Sequence, residues 1–224
     1  MDYTKKPFTK NAGQTHFFYG ADYNPDQWQK SPDIFERDIE LMKEAGVTSA
    51  SVGIFSWTSL EPEEGVYQFE WLDCVMDRFA EEGMFVFLAT PSASKPIWMS
   101  EKYPEIRRVT RDGVRERSGW RHNHCLSSLI YREKIVAINT QIARRYKEHP
   151  ALKLWHIGNE YSGDCHCSNC RASFQNWLKD RYLSIDSLNE AWWAGFWNHT
   201  FTDWGQIPTS VSYTHLTLPT IALV

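Results

Sequence analysis

A chain of 224 residues has room for one sizeable core, and its formal charge of -4, with both signs interspersed, lacks the basic patch that nucleic acids and anionic membrane surfaces select. No run approaches ~18 consecutive apolar residues, so no transmembrane helix is expected. The start, MDYTKKPFTK, has lysines but no apolar core of a secretory signal. The expected location is therefore the cytoplasm, where cysteines stay reduced and a cluster of them points to metal or catalysis before disulfides.

Along the chain, short β-rich apolar runs alternate with helical patterns. HFFYGADY (16–23) reads as a strand. Ser31-Pro32 marks a helix start, and Phe35, Ile39, Met42 and Ala45 keep helical spacing up to a stop at Gly46. TSASVGIF (48–55) is a second strand, followed by a stripe of Trp71, Leu72, Val75, Met76 and Phe79 that closes at Gly83. MFVFLAT (84–90) is the third strand. A third helix is expected through Ile135, Ile138, Ile142 and Tyr146, then a fourth strand over LKLWHI (152–157) and a helix from about 168 to 182.

Repeated strand–helix alternation implies parallel pairing through right-handed crossovers. The strands look apolar on both faces, as strands covered by helices do. A doubly wound sheet and a TIM (β/α)8 barrel both fit. No G-x-G-x-x-G or Walker-type loop occurs, so nucleotide binding has no support. The long loops, 55–70, 91–130 and 158–167, all follow strands, as active-face loops of a barrel do. The barrel is the expected fold. Four strands already consume about 157 positions of a fold that takes ~250 residues, so only its first half is expected here.

The fourth strand runs into Asn159 and Glu160, and a carboxylate just past a barrel strand stands where catalytic groups are found. Glycoside cleavage uses such an acid together with a second carboxylate. By spacing alone, "NE" could equally be a helix-capping turn. Glu61, Glu63 and Glu64 read as loop acids, Asp22 and Asn24 as rim contacts, and His156 as a hydrogen-bonded core residue. Cys165, Cys167 and Cys170 form C-x-C-x-x-C, with Cys125 on the preceding long loop. Four thiolates can close a tetrahedral, structural zinc site with no open position. Such a clip would pin the loops that carry Arg121 and Glu160. His122, His124 and His166 are nearby substitutes for one sulfur, and Cys74 reads as core packing.

YGADYNPDQW (19–28), DIELMKEAGVTSASVGIFSWTSLEPEEGVYQFEWLD (38–73), LATPSASKPIWMSEKYPEI (88–106) and HPALKLWHIGNEY (149–161) closely resemble family 42 glycoside hydrolases, which are β-galactosidases. The resemblance implies a retaining enzyme releasing terminal β-D-galactose from β-galactosides. It makes Glu160 the general acid/base, Asn159 and Arg121 sugar contacts, and a Glu at the end of strand seven, absent from this chain, the nucleophile. It also implies zinc on cysteines at matching positions and a homo-oligomer, often a trimer, for the full-length form. Some of the 11 Trp, 10 Tyr and 12 Phe would then line the sugar site. Lys95 and Leu126 stand where the family usually has proline. The clan leaves a β-glucanase or mannanase as an alternative, and a non-catalytic, zinc-stapled carbohydrate-binding domain is another. The resemblance runs from about 16 to 208, with the barrel domain expected over 1–208; TSVSYTHLTLPTIALV (209–224), without a single charged side chain, is expected to be a non-family tail of vector or frameshift origin. A fragment of this kind, without its nucleophile, is expected to be inactive alone.

Overall fold

The computed structural model describes residues 17–119 and 121–209. Four strands, β1 (Asp22–Tyr23), β2 (Ser49–Val52), β3 (Phe85–Ala89) and β4 (Leu152–His156), form one sheet in the order 1-2-3-4. Every neighbouring pair is parallel. A doubly wound sheet reverses its strand order at a switch point, whereas a barrel adds each strand beside the last. The chain therefore folds as the first half of a (β/α)8 barrel.

Two compact units divide the chain. The first comprises 17–104, 118–122 and 132–162 and holds the whole sheet. Its three longer helices form where the apolar spacing placed them, and two short ones lie inside segments expected to be loops. Helix α1 (Pro32–Glu44) begins at a proline whose missing N–H costs nothing there, although the Ser31 hydroxyl makes no cap bond. Gly46 ends it at φ +72°, a left-handed conformation that glycine adopts without penalty. A short helix, α2 (Trp57–Leu60), follows β2. In α3 (Glu70–Glu81) the residues Leu72, Met76 and Phe79 are fully buried, each worth about 1.5–3 kcal/mol of transfer free energy. Helix α4 (Ile97–Lys102) lies in the loop after β3, and α5 (Leu129–Tyr146) buries Ile138, Ile142 and Tyr146.

The strands are shorter than their apolar runs suggest. Of 16–23 only Asp22 and Tyr23 pair as a strand, because β1 ends the sheet and has a partner on one side alone; His16 lies outside the described residues. Tyr19 still joins β2's start, its carbonyl accepting from Thr48 N at 2.8 Å. The expectation of strands apolar and covered on both faces fails at β4. Leu154 is 37% and Trp155 38% exposed, since β4 closes the other side of the described sheet. Cys74 is also exposed, not packed; it sits one position off the buried stripe of α3. No helix among the described residues is long and apolar enough to cross a membrane.

The second unit comprises 105–117, 123–131 and 163–209. Isolated antiparallel bridges pair Arg107 with His124 and Val109 with Arg115, so part of the loop after β3 is a pinned excursion. Helices α6 (Ser168–Tyr182) and α7 (Ile185–Ala191) enclose Leu178, Leu188 and Ile207, with Phe174, Trp177, Trp192 and Phe201 packed around them. The Asn189 amide exchanges two hydrogen bonds with the Phe201 backbone, at 2.7 and 2.9 Å, which fixes the 201–208 segment on these helices. Residues 210–224, nearly all of the expected tail, lie outside the described residues.

Candidate functional site

The first unit assembles its charged site at the carboxyl ends of the strands. After β4 the chain turns left-handed at Gly158 (φ +64°) and again at Glu160 (φ +46°). At Gly158 the left-handed turn favours glycine, and a Cβ would also displace the Tyr161 ring. Glu160 is held in a region that non-glycine residues seldom occupy, a strain of order 1 kcal/mol or more that persists only where neighbours enforce it. Those neighbours are visible. Thr90, directly after β3, donates its N–H to the His156 carbonyl at 2.9 Å, and its hydroxyl accepts from Gly158 N at 2.7 Å. Arg121 Nη2 donates to Glu160 Oε2 at 2.6 Å. The guanidinium also lies 5.2 Å from the centroid of the Phe55 ring, which follows β2. His122 Nε2 is 4.0 Å from the same carboxylate oxygen.

The structure thus brings Arg121 and Glu160 into contact, 39 residues apart in sequence, with Asn159 half-buried beside them. Glu160 and Arg121 remain 60% and 50% exposed, so the carboxylate faces open space. His156 is tied to the sheet, its Nδ1 3.3 Å from Ser51 Oγ, in keeping with a core role. Of the rim residues, Asp22 is exposed and Asn24 half-buried. Two of the expected loop acids are anchors. Glu61 is 2% exposed and accepts from Trp57 Nε1 at 2.7 Å and Gly65 N at 2.8 Å. Glu64 accepts from Lys102, Lys134 and the Tyr103 hydroxyl, and these donors, Lys102 first, hold its carboxyl down to about 2.

Thr90, Gly158 and Phe55 were not singled out in the sequence. Thr90 and Phe55 each sit at the end of a strand run, the one signal that could have found them.

In the second unit the sulfurs of Cys125, Cys165, Cys167 and Cys170 all lie within 4.8 Å of one another. Cys125 Sγ is 3.5 Å from Cys167 Sγ and 3.4 Å from Cys170 Sγ. Four sulfurs ~2.3 Å from a common centre would stand roughly 3.8 Å apart, so the donor set fits a tetrahedral metal ion. Cys125 is fully buried, and its amide donates to Ile106 O at 2.7 Å. Hydrogen bonding to Cys165 and Cys170, then burial, pushes the Cys125 thiol up, while bonds from Cys125 and Cys170 pull Cys165 down. The cluster resists carrying four thiolates without a cation. Among the described residues no histidine joins these sulfurs: His166 contacts Asp164 Oδ2 at 2.8 Å and Thr209 Oγ1 at 2.6 Å, and the His124 ring lies tilted against Tyr131, centroids 4.5 Å apart.

Half of a (β/α)8 barrel here carries a carboxylate–guanidinium pair at the carboxyl ends of its strands, the end where enzymes of this fold place their active sites. The chain belongs to glycoside hydrolase family 42, described as beta-galactosidase, whose family model matches residues 22–223, most of the 209–224 stretch included. Beta-galactosidase BglY of Alicyclobacillus acidocaldarius is 53% identical over 197 residues, 88% of this chain and 29% of that protein. Beta-galactosidase GanA of Bacillus subtilis is 56% identical over 190 residues, 84% of this chain and 28% of that protein. The crystal structure of a beta-galactosidase from Rahnella sp. R3 superimposes with a TM-score of 0.83 at 56% identity, covering 85% of this chain and 28% of that one. The chain spans under a third of the length of the relatives it matches.

Proposed function

We propose that this chain is the N-terminal part of the catalytic barrel of a retaining β-galactosidase, with Glu160 as general acid/base. The observation that carries the reading is Glu160 held on a strained backbone at the end of β4 with Arg121 donating to it at 2.6 Å. In the first step the Glu160 carboxylic acid protonates the departing glycosidic oxygen; in the second its carboxylate takes a proton from the attacking water. Retention requires a nucleophilic carboxylate on the opposite side of the sugar. We assign that role to a Glu at the end of strand seven, in the part of the protein that the relatives carry beyond this chain's span. By itself the chain would bind sugar at most weakly and turn nothing over. Arg121 and Asn159 supply donors for sugar hydroxyls, contacts that can strengthen as the transition state forms.

Cys125, Cys165, Cys167 and Cys170 would hold Zn²⁺. With four protein sulfurs and no open position, a bound ion would supply loop order and no Lewis acid. A cluster that needs reduced thiols supports a cytoplasmic location.

The test uses the full-length reading frame. Hydrolysis of aryl β-galactoside well above aryl β-glucoside is expected, and Glu160→Gln should lower kcat by roughly 10²–10⁴. A preference for glucoside would move the substrate to the glucanase class. Sugar binding without turnover, unchanged in Glu160→Gln, would sink the enzymatic reading in favour of a binding module.

A further inference from the structure

We propose that Phe55 is a positioning residue for the substrate, acting through Arg121; the proposal rests on the reading of Arg121 as a sugar contact. Arg121 belongs to the long excursion between β3 and α5, and half of its side chain is exposed. A long, flexible, half-exposed side chain spreads over many rotamers unless something fixes it, and that spread lowers affinity. Two contacts fix this one: the Glu160 carboxylate at 2.6 Å and the face of the Phe55 ring at 5.2 Å.

The two contacts do different things. The carboxylate consumes an N–H donor of the guanidinium. The ring attracts the cation through its quadrupole and sets the guanidinium plane, but takes no donor. Of the five N–H groups of an arginine, those not directed at Glu160 stay in plane and available to sugar hydroxyls. A polar side chain at 55 would compete for those donors, and an aliphatic one would leave the plane free to rotate.

The ring can serve as a platform because its own backbone is fixed. Ile54 and Trp57 are fully buried and Ser56 is 1% exposed. Trp57 is further held by the buried Glu61 at 2.7 Å. Phe55 is thus the half-buried member of an otherwise buried strand-to-helix turn. The sequence departs from core logic at one residue, and that residue meets the cation beside Glu160.

The experiment is a double-mutant cycle in the full-length protein, with aryl β-galactoside as probe. Phe55→Leu should raise KM roughly three- to tenfold, the range of a partly exposed cation–π contact, with kcat within about twofold and an unchanged thermal melt. Phe55→Tyr, which keeps the ring face, should restore KM. In an Arg121→Ala background Phe55→Leu should add no further loss. Undiminished loss in that background, or no rescue by tyrosine, overturns the platform while leaving the role of Arg121 intact. An unaltered KM in Arg121→Ala overturns both. A second readout needs no turnover. In this chain the side-chain N–H resonances of Arg121 should carry a ring-current shift that disappears in Phe55→Leu; identical spectra would overturn the proposal.

Discussion

Glu160 and its partner Arg121 are 60% and 50% exposed, whereas Cys125 and Cys167 are 0% and 8% exposed. The two centres place charge in opposite solvents. An exposed carboxylate is hydrated, and its ion pair contributes at most ~1 kcal/mol to stability. It can therefore be strained, aimed and left open without endangering the fold. Buried thiolates have no water to offset their repulsion and need a cation to coexist. One region is free to do chemistry because it holds little of the fold together, and the other has the reverse character.

The largest test of this contrast asks whether the four cysteines hold a metal. The chain purified from a zinc-supplemented culture should carry one zinc by elemental analysis. A strong chelator, or Cys125→Ser, should lower the melting temperature by on the order of 10 °C. A chain that purifies metal-free and melts identically with chelator would remove one side of the comparison.

Thr90→Val sharpens the other side. It keeps the shape but leaves the buried Gly158 N–H without the acceptor at 2.7 Å, at a cost of about 1–3 kcal/mol by chemical denaturation. Since Gly158 N–H directs the turn leading to Glu160, kcat of the full-length protein should fall as well. A stability loss with unchanged kcat would mean that Thr90 supports the turn but not the carboxylate.

Glu64 gives a smaller, pH-dependent effect. Its carboxyl is held down to about 2, by Lys102 first and then Lys134 and Tyr103. A depressed carboxyl stabilises the fold above its ordinary value of 4.5, and that contribution is lost as pH falls toward 2. With a side chain 22% exposed, the expected size is about 1 kcal/mol after screening. Glu64→Gln should flatten the acid limb of stability between these values and leave its alkaline limb alone. The smallest effect is on Glu160→Gln, whose melting temperature should stay within about 2 °C of the parent. A large drop would show that the open carboxylate is structural after all.

Several features were legible because they depend on near neighbours in the chain. The stripe Leu72, Val75, Met76, Phe79 repeats at helical spacing, and all four are buried. C-x-C-x-x-C places three sulfurs on one short segment, and α6 over Ser168–Tyr182 falls where its pattern does. Other features depend on partners far along the chain. The Arg121–Glu160 contact spans 39 residues, and the Glu64 cluster draws Lys102 and Lys134 from two separate helices. No local pattern announces either.

By itself the sequence determined the four strands, the longer helices between them and the barrel winding, and it offered Glu160 and the four cysteines as candidates. The elements follow from periodicity and the cysteine set from spacing, whereas Glu160 was singled out by the resemblance to a family. Only the tertiary structure decided which end of each strand meets which loop. It placed Thr90 under Gly158, set the Phe55 ring against Arg121, turned Glu160 left-handed and exposed Cys74 and β4. Those outcomes follow from which side chains compete for the same space and the same hydrogen bonds once the sheet has formed, and that competition has no one-dimensional signature.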